Sequence, residues 1–239
     1  MPRLPIAVIQ NVANDGPGYF ADWAERYDHS LQVVKVWAGE MVPTSIAGYA
    51  GLCVLGGPMS VNDELPHLRA TEHLIREAIA SDVPVLGHCL GGQLMASACG
   101  ARIRRAPRQE IGWITIDAEA HPTALNWFGA ERFEIFQWHG DSFELPVGAQ
   151  LIASSEHCRH QAFSLGRLHL AMQFHCEITA EKIAAWTSSA EGQAEIAASD
   201  SPGVQSVTAI GAQTARLLPQ SHRIAEAIYR RWASGLRHA

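Results

Sequence analysis

Residues 83–100 read VPVLGHCLGGQLMASACG, and this stretch decides the fold. An apolar run at 83–86, typical of a buried strand, leads into Gly87-His88-Cys89-Leu90-Gly91, and a helical pattern continues from Gln93. A cysteine at a glycine-flanked corner between strand and helix has two interpretations. It is either a small inert residue in a tight turn or a sulfur presented for chemistry.

The form Gly87-x-Cys89-x-Gly91 is that of a nucleophile elbow with cysteine in the place of serine. The nucleophile of an elbow has a strained backbone, and glycines let strand and helix approach closely. Backbone N–H groups at the start of the helix, near Leu90, would lower the thiol pKa and stabilise a developing oxyanion. Taken alone, the stretch leaves a structural turn cysteine open.

The chain on the N-terminal side continues the alternation of strands and helices. Apolar runs at 5–11, 31–37 and 51–57 are predicted strands, and the amphipathic patterns at 18–28 and 66–81 are predicted helices. Strands that alternate with helices of this length indicate right-handed βαβ units and a parallel sheet covered on both faces.

The second half of the chain has a different pattern. Five strand-like segments separated by turns predict an antiparallel or mixed extension of the sheet: EIGWITIDAE, RFEIFQWHG, AQLIASSE, HQAFSLG and LHLAMQFHCE. We expect one domain over 1–239, with the motifs within about 5–190 and helices over 191–239. Pro219 is expected to kink or divide the last helix. Core packing, rather than contact with a second chain, is predicted for the apolar positions Ile210, Leu217, Leu218, Ile224, Ile228 and Trp232.

The composition excludes several classes of protein. The chain has 239 residues, 47% of them hydrophobic, and a net charge of −6, which is that of an ordinary soluble protein and offers nothing for nucleic acid. The basic run ARIRRAPR at 101–108 is interpreted as a solvated strand edge or loop. No apolar stretch has the length of a membrane span, and the N-terminus reads as a strand rather than a signal peptide. Five irregularly spaced cysteines argue against a disulfide framework and for a cytoplasmic location.

A second motif, AMQFHCEIT, carries a histidine and a carboxylate. On a strand, Gln173, His175 and Glu177 would share one face, while Phe174 and Cys176 would share the other. A histidine beside a carboxylate can act as a general base with its orienting group, which gives triad logic in the order Cys…His…Glu. An exposed polar strand end is the alternative when the segment is judged alone.

A third motif, VLGGPMS at 54–60, places two glycines directly after a buried strand. Backbone N–H groups there would lie at the carboxyl edge of the sheet, where sites of open α/β sheets gather. A simple strand-ending turn is the alternative for this segment alone. The three motifs occurring together favour an active site.

The motifs GHCLGGQ, QFHCE and GGPMS resemble those of the class I glutamine amidotransferases, in the family's order and approximate spacing. FQWHGDSFELP at 136–146 strengthens the likeness, which is greatest to free-standing proteins related to the amidotransferase domain of GMP synthase. The resemblance covers roughly residues 5–190. It implies a flavodoxin-like open mixed sheet with helices on both faces.

The resemblance also implies roles for individual residues. Cys89 matches the nucleophile, His175 the base and Glu177 its orienting carboxylate. Gly57 and Leu90 match the positions whose backbone N–H groups form the oxyanion hole. The remaining matches concern substrate binding, through Gln93 and through a loop in which backbone atoms often matter more than side chains: Trp138, His139, Gly140 and Asp141.

Two departures from the family pattern stand out. The family usually has proline between the triad histidine and glutamate, where this chain has Cys176. Little catalytic consequence is expected, because Cys176 should point away from His175. His88 lies next to the nucleophile, but adjacent side chains diverge on a strained elbow, so His175 remains the predicted base.

The implied reaction is acyl transfer from the γ-carboxamide of glutamine to Cys89, followed by hydrolysis of the thioester. No cofactor and no metal site are predicted, because the spacing of His157, Cys158 and His160 with His175 and Cys176 fits no zinc template. The expected partners are a small γ-glutamyl substrate and, for a true amidotransferase, a synthetase that receives the ammonia.

Two alternatives stay open. With no room in the chain for a synthetase domain, the same triad could serve a γ-glutamyl hydrolase or peptidase that acts on a conjugate other than glutamine. The chain could also be a regulatory subunit on a degenerate amidotransferase fold, although Cys89, His175 and Glu177 are all intact.

Overall fold

The computed structural model describes residues 4–238 and contains nine strands within that range. They are β1 Ile6–Gln10, β2 Leu31–Lys35, β3 Gly51–Val54, β4 Val85–His88, β5 Ile103–Ala118, β6 Arg132–Phe143, β7 Ala149–Ser154, β8 Ala162–Leu165 and β9 His169–Met172. The helices are α1 Tyr19–Arg26, α2 Pro66–Ala80, α3 Leu90–Ala98, α4 Pro122–Phe128, α5 Ala180–Ser188, α6 Ala190–Ala198 and α7 Val207–Ala233.

All nine strands form one mixed sheet in the order β2-β1-β3-β4-β9-β8-β7-β5-β6. The pairs from β2 to β9 are parallel, and those from β9 to β6 are antiparallel. The predicted parallel sheet with an antiparallel extension is therefore confirmed. With β9 in the fifth place, the parallel part has the flavodoxin-like order, whose direction of winding reverses beside β1.

Helices cover both faces of the sheet, and every residue of β1, β3 and β4 is therefore buried. One core lies between the sheet and α2 with α3, and contains Leu74, Ile75 and Leu94. The other lies between the sheet and α1 with α7, and contains Trp23 and Tyr229. The site at the carboxyl ends of the parallel strands thus stands on a rigid, two-sided core.

The C-terminal helix packs on this core, as predicted. The apolar positions Ile210, Leu217, Ile224, Ile228 and Trp232 are buried, while Leu218 is partly buried against its neighbours. Pro219 does not divide the helix, because α7 runs without interruption from 207 to 233. The residues that pack on the core lie on both sides of Pro219, so tertiary packing outweighs the hydrogen bond that proline removes.

Two short elements add to the sequence prediction. The short helix α4 and a 3-10 turn at Val36–Ala38 had no clear signal in the sequence. The basic run at 101–108 begins β5, and its arginines are exposed at the edge region as expected. Among the described residues, no helix combines the length and the hydrophobicity needed to cross a bilayer.

Candidate functional site

Four segments meet at the carboxyl edge of the parallel strands. They are the β1–α1 loop at 11–18, the β3 loop at 55–60, the turn at Cys89 and the turn at 173–179 after β9. The adjacent positions of β1, β3, β4 and β9 in the sheet dictate this convergence. Segments distant in sequence therefore share one site.

Cys89 lies on a strained corner between β4 and α3. Its φ of 49° and ψ of −108° are unusual for a residue with a side chain, and its N–H donates to the carbonyl of Met172 at 2.8 Å. Leu90 is the first residue of α3, so the helix N-terminus adjoins the sulfur. The predicted nucleophile elbow is therefore present in its geometry.

The glycines of the elbow allow α3 to pack directly on the sheet. A Cβ built on Gly87 would lie 2.6 Å from the backbone of Gly91, and one built on Gly92 would lie 2.5 Å from the carbonyl oxygen of Met172. A Cβ on Gly91 would overlap the carbonyl of Val54. Each added Cβ would meet backbone atoms of a neighbouring element, so no side-chain rearrangement could relieve the overlap.

Gly91→Ala is therefore expected to lower the free energy of unfolding by about 3 kcal/mol, the upper end of overpacking costs. Urea unfolding followed by circular dichroism measures the change. Gly211→Ala on the exposed face of α7 is the matched control, because nothing lies within 4 Å of its added methyl group. That variant should gain about 0.5 to 1 kcal/mol. Equal stability of the two variants would contradict the close-packed elbow.

Cys89, His175 and Glu177 meet beside the elbow. Gly56 lies between the first two, since a Cβ built on it would be 3.6 Å from Cys89 Cβ and 2.9 Å from His175 Cε1. His175 Nδ1 lies 2.7 Å from Glu177 Oε1, and the His175 N–H donates to the carbonyl of Phe136 at 2.9 Å. Glu177 thus holds one nitrogen of the imidazole, the backbone bond to Phe136 holds the main chain of His175, and Gly56 lies close to both the imidazole and Cys89.

The charges of the three residues support one another. Burial by itself lowers the pKa of His175, but Glu177 and the Cys89 thiolate outweigh it and raise the pKa to about 10. Burial opposes ionisation of Glu177, yet Lys182 and His175 hold its pKa well below the usual range. An imidazolium of His175 beside the carboxylate of Glu177 is the state that this geometry favours.

His175 and Glu177 lie in a turn and not on a strand, which corrects the sequence interpretation of AMQFHCEIT. Strand β9 ends at Met172, and His175 keeps only an isolated bridge to Phe136. The chain must leave the sheet there, because the site lies beyond the strand end and α5 begins at Ala180. The alternation of side chains nevertheless continues through the turn.

Cys176 points away from His175, as predicted. Its Sγ lies 3.5 Å from His88 Nε2 and 3.4 Å from the hydroxyl of Tyr229, in the core beneath the site. His88 also diverges from Cys89, as expected on an elbow. The sequence did not predict that His88 Nε2 would lie 3.8 Å from Glu177 Oε2.

Gly57 and Leu90, the predicted oxyanion-hole positions, are adjacent. A Cβ on Gly57 would lie 3.1 Å from Leu90 Cδ2 and 3.2 Å from Asn11 Cβ. The Asn11 amide donates to the carbonyls of Leu55 and Gly56 at 2.9 and 3.1 Å, and so fixes the glycine loop. Sequence analysis missed Asn11, which directly follows β1 at the same sheet edge.

The predicted substrate-lining residues Trp138, His139, Gly140 and Asp141 lie on strand β6 and not in a loop, which corrects the sequence interpretation. The pairing of β6 with β5 is irregular at this point, and the segment at 138–141 is held together at the carbonyl of Asp141. This oxygen lies 3.2 Å from Gln93 Nε2, 2.9 Å from Gln173 Nε2 and 3.0 Å from His139 Nδ1. The Asp141 carboxylate accepts from Ser60 at 3.1 Å. The segment at 138–141 is therefore joined to the elbow helix, to the turn after β9 and to the β3 loop.

The side chains of the segment at 138–141 point in different directions. His139 is 4% exposed, and its Nε2 lies 3.0 Å from Glu110 in the interior, so its backbone rather than its ring faces the site. The Trp138 carbonyl lies 3.6 Å from Cys89 Sγ, while its indole donates to Glu195 at 2.8 Å. A Cβ on Gly140 would meet the guanidinium of Arg105 at 2.8 Å.

An aromatic wall stands over the histidine. The Trp186 ring centroid lies 5.0 Å from that of His175 and 5.8 Å from that of Trp138, both in edge-to-face geometry. Trp186 comes from α5 and its indole donates to the carbonyl of Asn14 at 3.1 Å. Cys89 is only 6% exposed, so its sulfur is largely shielded from water.

Sequence analysis also missed two charged residues beside the triad. Lys182 Nζ lies 2.6 Å from Asp15 Oδ1 and 3.3 Å from Glu177 Oε1, and its side chain is 10% exposed. One signal could have found it: the chain has only two lysines, and Lys182 follows Glu177 by five residues. Asp15 stands among polar loop residues with nothing in the sequence to distinguish it.

Three groups of side chains have donor atoms close enough to hold a metal ion: His88, Cys176 and Glu177; Glu110, His139 and Cys158; and Asp15, His175 and Glu177. The Lys182 ammonium already balances Asp15 and Glu177, and Glu110 already pairs with His139. Of the histidines weighed for zinc in the sequence, His160 instead lies 2.8 Å from the carbonyl of Phe143.

Comparison with known proteins gives concordant results. A family model described as "Glutamine amidotransferase class-I" matches residues 24–185. The chain is 34% identical over 178 residues to the glutamine amidotransferase-like protein YfeJ of Salmonella typhimurium, covering 71% of this chain and 74% of that protein. It is 31% identical over 161 residues to the glutamine-hydrolysing GMP synthase of Bacillus pumilus, covering 66% of this chain but only 29% of the synthase.

A solved structure is similar over the whole chain. The crystal structure of a glutamine amidotransferase from Methylobacillus flagellatus has a TM-score of 0.96 and 38% sequence identity, and the match covers 100% of this chain and 97% of the other. The order of strands and the position of the elbow described above are therefore not peculiar to this chain.

Proposed function

The chain belongs to the class I glutamine amidotransferases, and we propose that Cys89 cleaves the γ-amide of glutamine by acyl transfer, releasing ammonia and glutamate. The observation that carries the proposal is the meeting of a strained, helix-capping cysteine with a histidine that is bonded to a buried carboxylate. This set supplies a nucleophile, a proton carrier and an orienting group within one enclosure.

In the first step the Cys89 thiolate attacks the γ-carbonyl carbon and forms a C–S bond. The carbonyl electrons move to oxygen, and we assign the backbone N–H groups of Gly57 and Leu90 as the donors to that oxyanion. Preorganised donors of this kind are worth about 3 kcal/mol each. The adjacency of Gly57 and Leu90 supports this assignment.

In the second step the C–N bond breaks and the imidazolium of His175 protonates the leaving nitrogen as ammonia. His175, now neutral, takes a proton from water, whose oxygen attacks the thioester carbon. The C–S bond breaks, glutamate leaves and the thiolate is restored. Glutamine and water thus become glutamate and ammonia, with Glu177 holding the imidazole throughout.

Glutamine is the proposed substrate because the enclosure favours a small leaving group. Cys89 is 6% exposed, and the ring centroid of Trp186 lies 5.0 Å from that of His175, the residue proposed to protonate the leaving nitrogen. We further propose that a synthetase takes up the ammonia, since the glutamine-hydrolysing enzyme that this chain matches in part is a GMP synthase.

The test is release of glutamate from glutamine and from a panel of γ-glutamyl peptides and γ-glutamyl amines, with and without candidate synthetases. We expect glutamine to have the highest kcat/KM, and addition of the cognate synthetase to increase kcat. Faster turnover of a larger conjugate would assign the chain to γ-glutamyl hydrolysis. Failure to release glutamate from any substrate, with Cys89 inert to a glutamine-like diazo-ketone, would indicate a non-catalytic subunit.

A further inference from the structure

The carboxylate of Glu177 is the most deeply buried charge at the site. Its side chain is fully buried, and Oε2 has no hydrogen-bond partner among residues 4–238. His175 Nδ1 contacts Oε1 at 2.7 Å, and His88 Nε2 lies 3.8 Å from Oε2. A buried carboxylate with so few donors needs a compensating cation, or it takes up a proton.

Lys182 is that cation. Its Nζ lies 3.3 Å from Glu177 Oε1, 2.6 Å from Asp15 Oδ1 and 3.0 Å from the carbonyl of Gly16. The ammonium donates hydrogen bonds to the Gly16 carbonyl and to Glu177 Oε1, and it forms an ion pair with Asp15. The ammonium therefore has a fixed position, which a solvated lysine lacks.

The fold brings Lys182 back onto the carboxylate by a short local route. Thr179 caps α5 and accepts from the N–H of Lys182 at 3.3 Å, so the lysine stands in the first helical turn, five residues after Glu177. Side chains on a helix lean towards its N-terminus, and here that direction leads to Glu177.

The β1–α1 loop is bound to the same helix through three consecutive residues. Asn14 accepts from Trp186, Asp15 pairs with Lys182, and Gly16 accepts from Lys182. The backbone of Glu177 is held as well, since its carbonyl accepts from Tyr19 N–H at 3.0 Å. The loop, α5 and the triad carboxylate thus form one rigid unit.

We propose that Lys182 and Asp15 are positioning residues for the triad: Lys182 fixes Glu177 Oε1 against His175, and Asp15 fixes Lys182. This rests on the proposed function, because the triad is what they position. The pair also adjusts charge. A donor atom of His175 lies within 4.8 Å of carboxylate oxygens of both Asp15 and Glu177, and Lys182 offsets their combined effect on the imidazole.

The direction of each pKa change follows from the sign of the charge that a substitution removes. Removing the Lys182 cation raises the pKa of every nearby acid and base, whereas removing the Asp15 anion lowers it. The charged and titratable groups that face this cluster come from six elements: Cys89 and His88 at the end of β4, Asp15 after β1, His175 and Glu177 after β9, Lys182 on α5, and, beneath them, Cys176, Cys53 of β3 and Tyr229 of α7.

The experiment compares Lys182→Met and Asp15→Asn by two measurements. The first is the rate of Cys89 alkylation by iodoacetamide against pH, read by peptide mapping so that the other cysteines do not interfere. The second is kcat and KM for glutamine. Lys35→Met is the matched control, because Lys35 is the only other lysine and is exposed on β2.

We expect the alkylation profile of Lys182→Met to move to higher pH by about one unit, and that of Asp15→Asn to move to lower pH. In both variants kcat should fall by up to about 100-fold while KM changes little, because among the described residues no hydrogen bond or ion pair joins Lys182 or Asp15 to the segment at 138–141. Lys182→Arg, which keeps the charge, should restore the pH profile. Lys35→Met should match the parent protein.

Profiles of folded Lys182→Met and Asp15→Asn that move in the same direction, or that coincide with the parent profile, would overturn the proposal. If Lys182→Met does not fold, Asp15→Asn and Lys182→Arg still test the proposal. The profile of Asp15→Asn must then move to lower pH while that of Lys182→Arg coincides with the parent profile, and any other outcome would overturn the proposal. Alkylation needs no turnover, so a chain that hydrolyses no γ-glutamyl amide would refute the proposed function while the profiles still test the positioning pair.

Discussion

Cys89→Ser is expected to reduce the turnover of glutamine by about 10⁴-fold or more, while leaving the fold unchanged. Loss of a nucleophile that acts as a unit with its base removes nearly all of the catalysis of the group. Serine can adopt the same backbone corner, but its hydroxyl is far less acidic than a thiol. The imidazolium that the site favours at His175 cannot accept the hydroxyl proton.

Glutamate release under saturating glutamine, with circular dichroism to verify folding, measures this effect. Cys99→Ser is the matched control, because Cys99 is a free, partly exposed cysteine at the other end of α3. It should retain full activity. Turnover by Cys89→Ser within tenfold of the parent value would show that another residue carries the acyl group.

Glu177→Gln is expected to lower kcat by about 10³- to 10⁴-fold, the range for a triad whose orienting carboxylate becomes an amide. The amide keeps the volume and one acceptor oxygen. It removes the charge that raises the pKa of His175 to about 10, and it leaves Lys182 with Asp15 as its remaining carboxylate partner. The high-pH limit of activity should therefore move to lower pH, because the imidazolium is lost earlier as the pH rises.

The pH dependence of kcat/KM for glutamine from about pH 6 to about 10.5 measures the shift, since this window spans the ordinary and the raised pKa of a histidine. Glu131→Gln, a substitution of an exposed carboxylate before β6, is the control and should leave both limits in place. An unchanged high-pH limit in Glu177→Gln would mean that Glu177 does not govern the protonation of His175.

The parts of the fold that follow from local pattern were predictable. The strand, corner and helix at 83–100 appear as β4, Cys89 and α3 because apolar runs, glycines and helical periodicity are short-range signals. The mixed sheet followed from the change of pattern in the second half of the chain. The turn at 173–177 was mistaken for strand because side chains alternate in both conformations.

The site divides along the same line. Cys89, His175 and Glu177 stand in motifs of chemically distinctive residues, so the motifs alone indicate their positions. Asn11, Asp15 and Lys182 have no such motif. Whether a lysine is a solvated side chain or the counterion of a buried carboxylate depends on what the fold places beside it, and the sequence offers only the five-residue spacing from Glu177 to Lys182 as a signal.

The sequence by itself determined the α/β fold, the elbow and the order of the three residues proposed for the triad, since each depends on neighbours along the chain. The tertiary structure alone decided that α5 returns its lysine to the triad carboxylate, that the β1–α1 loop supplies the second acid, and that His88 contacts both Cys176 and the far side of that carboxylate. Those outcomes depend on burial and on the order of strands across the sheet. Charge compensation inside a protein acts through space over a few ångströms, and the residues at 15, 89, 177 and 182 come within that range only when β1, β4 and β9 lie in one sheet.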